Sequence, residues 1–188
     1  MELETSDHLE HAEHAEHAAH SGNPLLIKVS MTIAILAVLA ATVGSLESLE
    51  SGKAISDKNE SVLMQNQAAD HWAFFQAQSV KRNLYEIAAA SNPARAQDYD
   101  AKARGYAQVG AEIKTKAEDL EKERDAKLED SNRHEHRHHI LTVAVTLLHV
   151  SIAIATIAII TGGRRWPWYT AMLLGLLGAL VAGSAYLA

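Results

Sequence analysis

The chain has 188 residues, of which 21% are charged and none is cysteine, and its formal net charge is −6. The absence of cysteine excludes disulfides, thiolate catalysis and Cys-type zinc sites, and the lysines and arginines form no basic stripe of the kind that binds nucleic acid. Residues 140–188 contain only two charges, whereas residues 47–139 are rich in both signs. This segregation predicts that the chain meets two different solvents.

Residues 1–24 form an acidic, histidine-rich tail that lacks the basic start of a secretory signal peptide. Neighbouring histidines in the tail could chelate Zn²⁺, Ni²⁺ or Cu²⁺ weakly, with the intervening glutamates as further ligands. The alternative is a solvated tail whose imidazoles titrate near pH ~6.5. The candidate ligands recur every third residue and are His8, His11, His14, His17 and His20.

Three apolar runs are long enough to cross a bilayer, because about 20 residues at 1.5 Å each span a hydrocarbon core of about 30 Å. They are Leu25–Leu46, Ile140–Thr161 and Trp168–Ala188. Asn23-Pro24 and Pro167 are typical helix starts, and Gly162-Gly163 is a typical end. We predict three transmembrane helices, with a short basic loop over residues 162–167 between the last two.

Residues 47–139 read as two long helices that turn near residues 91–93, at Ser91-Asn92-Pro93. Apolar or small residues recur on both arms in alternating steps of three and four, or multiples of them, which is the pattern of a coiled-coil seam. On the second arm they are Tyr99, Ala103, Tyr106, Gly110, Ile113, Ala117 and Leu120; on the first they are Ala69, Ala73, Val80, Leu84 and Ile87. The predicted fold is therefore all-α, with a long extramembrane coiled-coil hairpin between the first and second spans, reaching about 65 Å beyond the bilayer.

Two sets of residues are candidates for packing between copies of the chain. An alanine-rich seam buries little apolar area, and Trp72, Phe74, Phe75 and Tyr85 point in more directions than one partner helix can cover. The third span carries small residues at every fourth position, a ridge that allows close helix contact. These residues are Ala171, Gly175, Ala179 and Gly183. Both features predict a homo-oligomer.

A polar stripe runs along the second span through Thr142, Thr146, His149 and Thr156. Ionisable residues within a membrane are costly and usually face protein or water. The stripe could line an ion or proton path in an oligomer. The alternative is a neutral histidine at a helix interface, beside threonines that bond their own backbone.

His134 and His138 lie just before the second span, four residues apart and so on one helical face. They are further candidate ligands for a weakly held metal, although we expect no carboxylate or third histidine to complete a site within one chain. The alternative is a pair of polar residues near lipid headgroups.

Four pieces of the sequence together resemble domain of unknown function family 4337, a bacterial family of small membrane proteins. They are the histidine-rich start, QNQAADHWAFFQAQSVKRNLYE at residues 65–86, TVAVTLLHVSIAIATIAI at residues 142–159 and GGRRWPW at residues 162–168. The resemblance supports this architecture and implies that Phe74-Phe75 replace a pair often filled by tyrosine, which favours packing. It implies no activity.

We find no enzyme motif and expect no enzymatic activity and no required cofactor. The leading expectation is a homo-oligomeric inner-membrane protein with a structural or interaction role, whose candidate partners are the bilayer, further copies and another membrane complex. The alternatives are an oligomeric channel lined by the His149 stripe and a metal-buffering or pH-sensing protein. Arg164, Arg165 and Lys28 favour a cytoplasmic N-terminus with the hairpin outside.

Overall fold

The computed structural model describes residues 24–162 and 164–187, and these residues are almost entirely helical, with no strand among them. Helix α1 is Pro24–Ser91, a short 3₁₀ helix is Pro93–Arg95, α2 is Ala96–Ile160 and α3 is Arg165–Ser184. The predicted all-α class is confirmed. The five tail histidines lie outside the described residues.

The break between α1 and α2 falls at Asn92. The residue before a proline is pushed out of the helical region, and Asn92 has φ −137° and ψ 85°. Its side chain makes no capping bond, but its carbonyl accepts a hydrogen bond from the Arg95 backbone N–H at 3.0 Å. The proline therefore sets the turn through backbone geometry rather than through an asparagine cap.

The end of α2 is set by Gly162, whose φ of +69° lies in the left-handed region. Glycine adopts this conformation without steric strain. Its N–H donates to the Ile159 carbonyl at 3.1 Å, which closes the last turn. Pro167 lies in the first turn of α3, where its missing N–H is harmless.

The chain divides into two compact units. The first, here called the apolar unit, contains residues 24–53 and 133–187; the second, here called the charged unit, contains residues 54–132. In the apolar unit, α1 and α2 each contribute buried residues at steps of three and four, and α3 adds small ones. The core is Val29, Ile33, Leu36, Ala40, Val43, Leu141, Ala144, Leu148, Ile152, Ala155, Ala158, Ala171 and Ala185.

The outward faces of the apolar unit are also apolar. Val38 on α1, Val143 on α2 and Leu180 on α3 are all more than half exposed. Monomeric soluble proteins rarely expose apolar patches of this extent. All three helices contain stretches long and apolar enough to cross a membrane by length and composition.

In the charged unit, the stripe predicted on α2 faces α1. Ala103, Gly110, Ile113 and Ala117 are buried, and Tyr99, Tyr106 and Leu120 are half-buried, so all seven lie on the packed face of α2, and their arrangement as a coiled coil stays a prediction. The prediction of which face of α1 packs against α2 is wrong. Ala69, Ala73, Val80, Leu84 and Ile87 are all exposed.

A different face of α1 packs against α2, here called the inner seam. Its residues are buried or half-buried, also alternate in steps of three and four, and are Ala54, Asp57, Ser61, Met64, Ala68, His71, Phe75, Gln78, Arg82, Tyr85 and Ala89. Many are small or polar, and some of the polar ones have a partner on α2. For example, Asp57 pairs with Lys127 of α2 at 3.3 Å. Apolarity alone therefore did not mark the packed face.

Candidate functional site: a carboxylate–histidine cluster

Glu50 of α1 is buried in the apolar unit, with a relative exposure of 4%. Its Oε2 lies 2.5 Å from Nδ1 of His134 on α2, and its Oε1 accepts a hydrogen bond from the Tyr186 hydroxyl at 3.4 Å, just after α3. Lys53 places its Nζ 4.0 Å from the same Oε1. A buried carboxylate needs partners of this kind, because an unpaired charge away from water is costly. The site thus joins all three segments of the unit.

The surroundings of Glu50 favour its ionised form. Burial by itself raises the pKa of a carboxyl group, but the hydrogen bond and charge of His134, together with the charges of Lys53 and Arg137, outweigh it. The pKa of Glu50 therefore lies below its ordinary value. The Arg137 guanidinium also lies 5.4 Å from the centre of the Tyr186 ring, which holds the cation beside the cluster.

A second carboxylate–histidine pair lies one helical turn away. Glu47 Oε1 is 3.3 Å from Nδ1 of His138 and accepts a hydrogen bond from the Thr142 hydroxyl at 2.8 Å. Three residues separate the two glutamates along α1, and four separate the two histidines along α2. Each histidine therefore meets its own glutamate rather than sharing one with its neighbour.

Each of the two pairs places a carboxylate oxygen of α1 beside an imidazole nitrogen of α2. A neighbouring imidazole favours the ionised form of a carboxylate, which agrees with the lowered pKa of Glu50. Among residues 24–162 and 164–187, no group of three or more histidine, aspartate or glutamate side chains is arranged to hold a metal ion. The geometry suits pairing between α1 and α2.

No local pattern in the sequence predicted that His134 and His138 would each meet a carboxylate of the same chain. The missing partners come from α1, 84 residues away for His134 and Glu50. One signal in the sequence was available: Glu47 and Glu50 immediately follow the first apolar run, and His134 and His138 immediately precede the second. Antiparallel neighbouring helices bring such flanking positions to the same end of a bundle.

The polar stripe of α2 is divided between environments. Thr142 and Thr146 are exposed, His149 is half-buried and Thr156 is buried. Each of the three threonine hydroxyls donates to the backbone carbonyl four residues earlier, at 2.8–3.0 Å. These bonds satisfy the hydroxyls of Thr146 and Thr156 within their own helix, whereas Thr142 shares its proton with Glu47 Oε1.

Most of the aromatic residues proposed for packing lie against α2. Trp72 donates from Nε1 to Glu121 Oε1 at 2.9 Å and meets the Phe75 ring edge to face at 5.7 Å. Tyr85 stacks on Tyr106 with ring centroids 5.5 Å apart. Phe74, in contrast, is half exposed.

The small-residue ridge of α3 packs partly inside the chain. Ala171 and Gly175 are buried, Ala179 is half-buried and Gly183 is exposed. A Cβ added to Gly175 would overlap the Leu36 side chain, whereas one added to Gly183 would meet nothing within 4 Å. The first half of the ridge therefore lets α1 approach α3.

These features define an all-helical protein with three helices apolar enough to cross a membrane and a buried carboxylate–histidine cluster at the charged end of the apolar unit. The sequence model of the family described as domain of unknown function (DUF4337) matches residues 25–188. The chain belongs to this family. Searches of curated proteins and of solved structures found no match.

Proposed function

We propose that the protein is a homo-oligomeric integral membrane protein of the bacterial inner membrane, with a structural or interaction role and no enzymatic activity. The observation that supports it best is the apolar exterior of the apolar unit. Side chains such as Met31, Leu173 and Ile160 are 60–78% exposed although they are large and apolar. Lipid tails are the environment in which such a surface carries no hydration cost.

The ends of the apolar unit fit this placement. At one end, Trp168 donates to the Thr32 hydroxyl at 3.1 Å, and Trp166 and Tyr169 are exposed. Tryptophan and tyrosine are enriched where a membrane meets water. At the other end lie Tyr186 and the carboxylate–histidine cluster. The apolar stretch between them is bounded by polar and aromatic groups on both sides.

The charged unit supports the interaction role. It is a pair of long helices whose contacts include aromatic stacking and ion pairs, such as Lys127 with Glu60 at 2.7 Å, and we propose that it forms a coiled-coil hairpin. Such a helical pair offers a long water-facing surface to further copies or to another membrane complex.

Two measurements on the full chain test this proposal. Alkaline carbonate extraction should leave the protein in the membrane pellet, and its mass in mild detergent should exceed that of one chain. Recovery in the supernatant would refute the membrane assignment, and a monomeric mass would refute the oligomer. For orientation, Asn92→Cys should react with an impermeant thiol reagent in intact cells, and protection would place the hairpin in the cytoplasm.

The cluster around Glu50 and His134 favours a second role, that of a pH-responsive contact. The titratable and charged groups that face it are Glu47 and Lys53 from α1, His134, Arg137 and His138 from α2, and Tyr186 after α3. Protonation changes there would alter how α1, α2 and the end of the chain hold together. The mass of the assembly should then change as the pH falls from about 5 through the lowered pKa of Glu50, and Glu50→Gln should abolish that change. If the mass of the assembly stays constant over this pH range, the cluster is not a pH-responsive contact.

A further inference from the structure

Helix α1 carries a second seam that nothing covers within the described chain, here called the outer seam. Its ten residues all lie in the charged unit, all are exposed, and they alternate in steps of four and three. They are Ile55, Asn59, Val62, Asn66, Ala69, Ala73, Gln76, Val80, Asn83 and Ile87. The outer seam is more apolar and less charged than the inner seam that packs on α2.

The outer seam has the geometry of a coiled-coil interface. Its steps place the residues at the a and d positions of a heptad repeat, and at 3.5 residues per turn the seam lies about 155° around α1 from the inner seam. It is about 50 Å long at 1.5 Å per residue. The four β-branched residues, Ile55, Val62, Val80 and Ile87, are each 56–63% exposed. A face this regular and this apolar costs free energy in water.

The composition of the outer seam matches a second copy of itself. None of its ten residues is charged, so two identical seams meet without like-charge contacts at their core. Four positions are asparagine or glutamine, whose amides both donate and accept and so can bond to the same residue type across an interface. Asparagine at such positions is a known determinant of pairing register.

The outer seam is complementary to a second copy of itself in both the parallel and the antiparallel arrangement. Two parallel copies place every residue opposite itself. Two antiparallel copies, centred between Ala69 and Ala73, place isoleucine opposite isoleucine, asparagine opposite asparagine and valine opposite valine, because the seam reads nearly the same from both ends. The only unlike pair is Asn66 with Gln76, which share an amide. In a two-fold interface the same patch of both subunits meets, so that patch must be complementary to itself. Contact with an unrelated partner does not require such self-complementarity.

We propose that the outer seam is the surface through which two copies of this chain associate. The inference rests on the proposed homo-oligomer and names its contact. With the flanking positions, the seam offers about 20 residues per copy, which is the lower range for a specific protein interface. Leu63 and Leu84 flank it, are 57% and 60% exposed, and extend its apolar area.

Single cysteines test the contact directly, because the chain has none of its own. Val62→Cys and Val80→Cys should each form a disulfide-linked dimer under mild oxidation if the copies are parallel. If they are antiparallel, only a mixture of the two variants should do so. Either pattern supports the proposal. Gln67 is exposed on the same helix but lies off the outer seam, so Gln67→Cys should not cross-link. If neither seam cysteine forms a dimer, alone or mixed with the other, the proposal is overturned.

Charge substitution tests the energetics. The double variant Val62→Glu, Val80→Glu places like charges at the core of the seam, so its dissociation constant in mild detergent should rise by at least about 100-fold. Gln67→Glu adds a charge off the seam and should leave it unchanged. Circular dichroism checks that the double variant keeps its helices.

The outcomes separate this inference from the proposed function. A wild-type protein that is oligomeric in detergent, with seam cysteines that fail to cross-link and an unchanged mass after charge substitution, would refute the seam and leave the oligomer standing. A monomeric wild type would refute both. Release of the protein by alkaline carbonate would refute the membrane assignment. Cross-linking of the seam cysteines would still test the contact between copies.

Discussion

Glu50 Oε2 and His134 Nδ1 lie 2.5 Å apart, although 84 residues separate them in the chain. The carboxylate is almost fully buried and the imidazole is mostly so. Breaking a buried pair by removing one partner leaves the other charge uncompensated, which costs more than the pair itself contributes. This contact links α1 to α2 at the charged end of the apolar unit.

His134→Ala should therefore destabilise the protein. We expect a loss of about 1–3 kcal/mol, the cost of leaving a buried carboxylate oxygen without its hydrogen-bond partner. His139→Ala is the matched control on the same helix, since His139 is exposed and lies 3.8 Å from Glu135. Thermal melting in mild detergent measures both, and equal melting temperatures for the two variants would contradict the structural role of the pair.

Glu50 should make stability depend on acid pH. Its pKa in the folded protein lies below the ordinary value of 4.5, so its stabilising contribution is fully present above about pH 4.5 and is lost as the pH falls through the lowered pKa. Glu50→Gln cannot ionise and should show a flatter decline in melting temperature over that acid range. If the variant and the wild type decline in parallel, the carboxylate is not stabilised by its neighbours.

Trp72 should contribute to stability within one chain, through Phe75 and Glu121. Removing a fully buried tryptophan costs about 3–5 kcal/mol, and since Trp72 is half-buried we expect about 2 kcal/mol for Trp72→Ala. Phe74→Ala, at a half-exposed neighbour, should cost less than about 1 kcal/mol. The comparison uses melting of the helical signal. A greater loss for Phe74→Ala would show that its exposed ring is covered in the assembly.

Gly175 should not tolerate a large side chain. The Leu36 side chain occupies the space above it, so Gly175→Leu should cost about 1–3 kcal/mol through overpacking. Gly183→Leu makes the same change where nothing lies within 4 Å and should be nearly neutral in the single chain. If instead Gly183→Leu lowers the mass of the assembly, the exposed end of the ridge packs between copies.

His149→Leu separates a scaffold from a channel. Threonine hydroxyls along the polar stripe of α2 donate to the backbone of their own helix. Because they are already bonded, they are poorly suited to contacting ions in a pore. We expect no conductance from reconstituted wild type, and a loss of about 0.6 kcal/mol from the substitution, the average for a hydrogen bond between membrane helices. A wild-type current that His149→Leu abolishes would establish the channel.

The sequence by itself determined the all-helical class, the three apolar runs, the turn signal at Asn92-Pro93 and the packed face of α2. The reason is that these features are local. Hydropathy over about 20 residues, a proline and a heptad of small and aromatic residues each act within one segment. The resemblance to DUF4337 was confirmed over residues 25–188.

Only the tertiary structure decided which face of α1 packs on α2 and which groups meet the two histidines. Sequence favoured the stripe containing Val80 and Ile87 because it is more apolar. The structure instead buries Gln78 and Ala68, since small residues such as Ala68 allow the two helices to approach closely. Glu50 and His134 are each ordinary charged residues in their own segments. Their pairing depends on how two helices align across 84 residues, and that alignment is set by packing along the whole interface rather than by any local pattern.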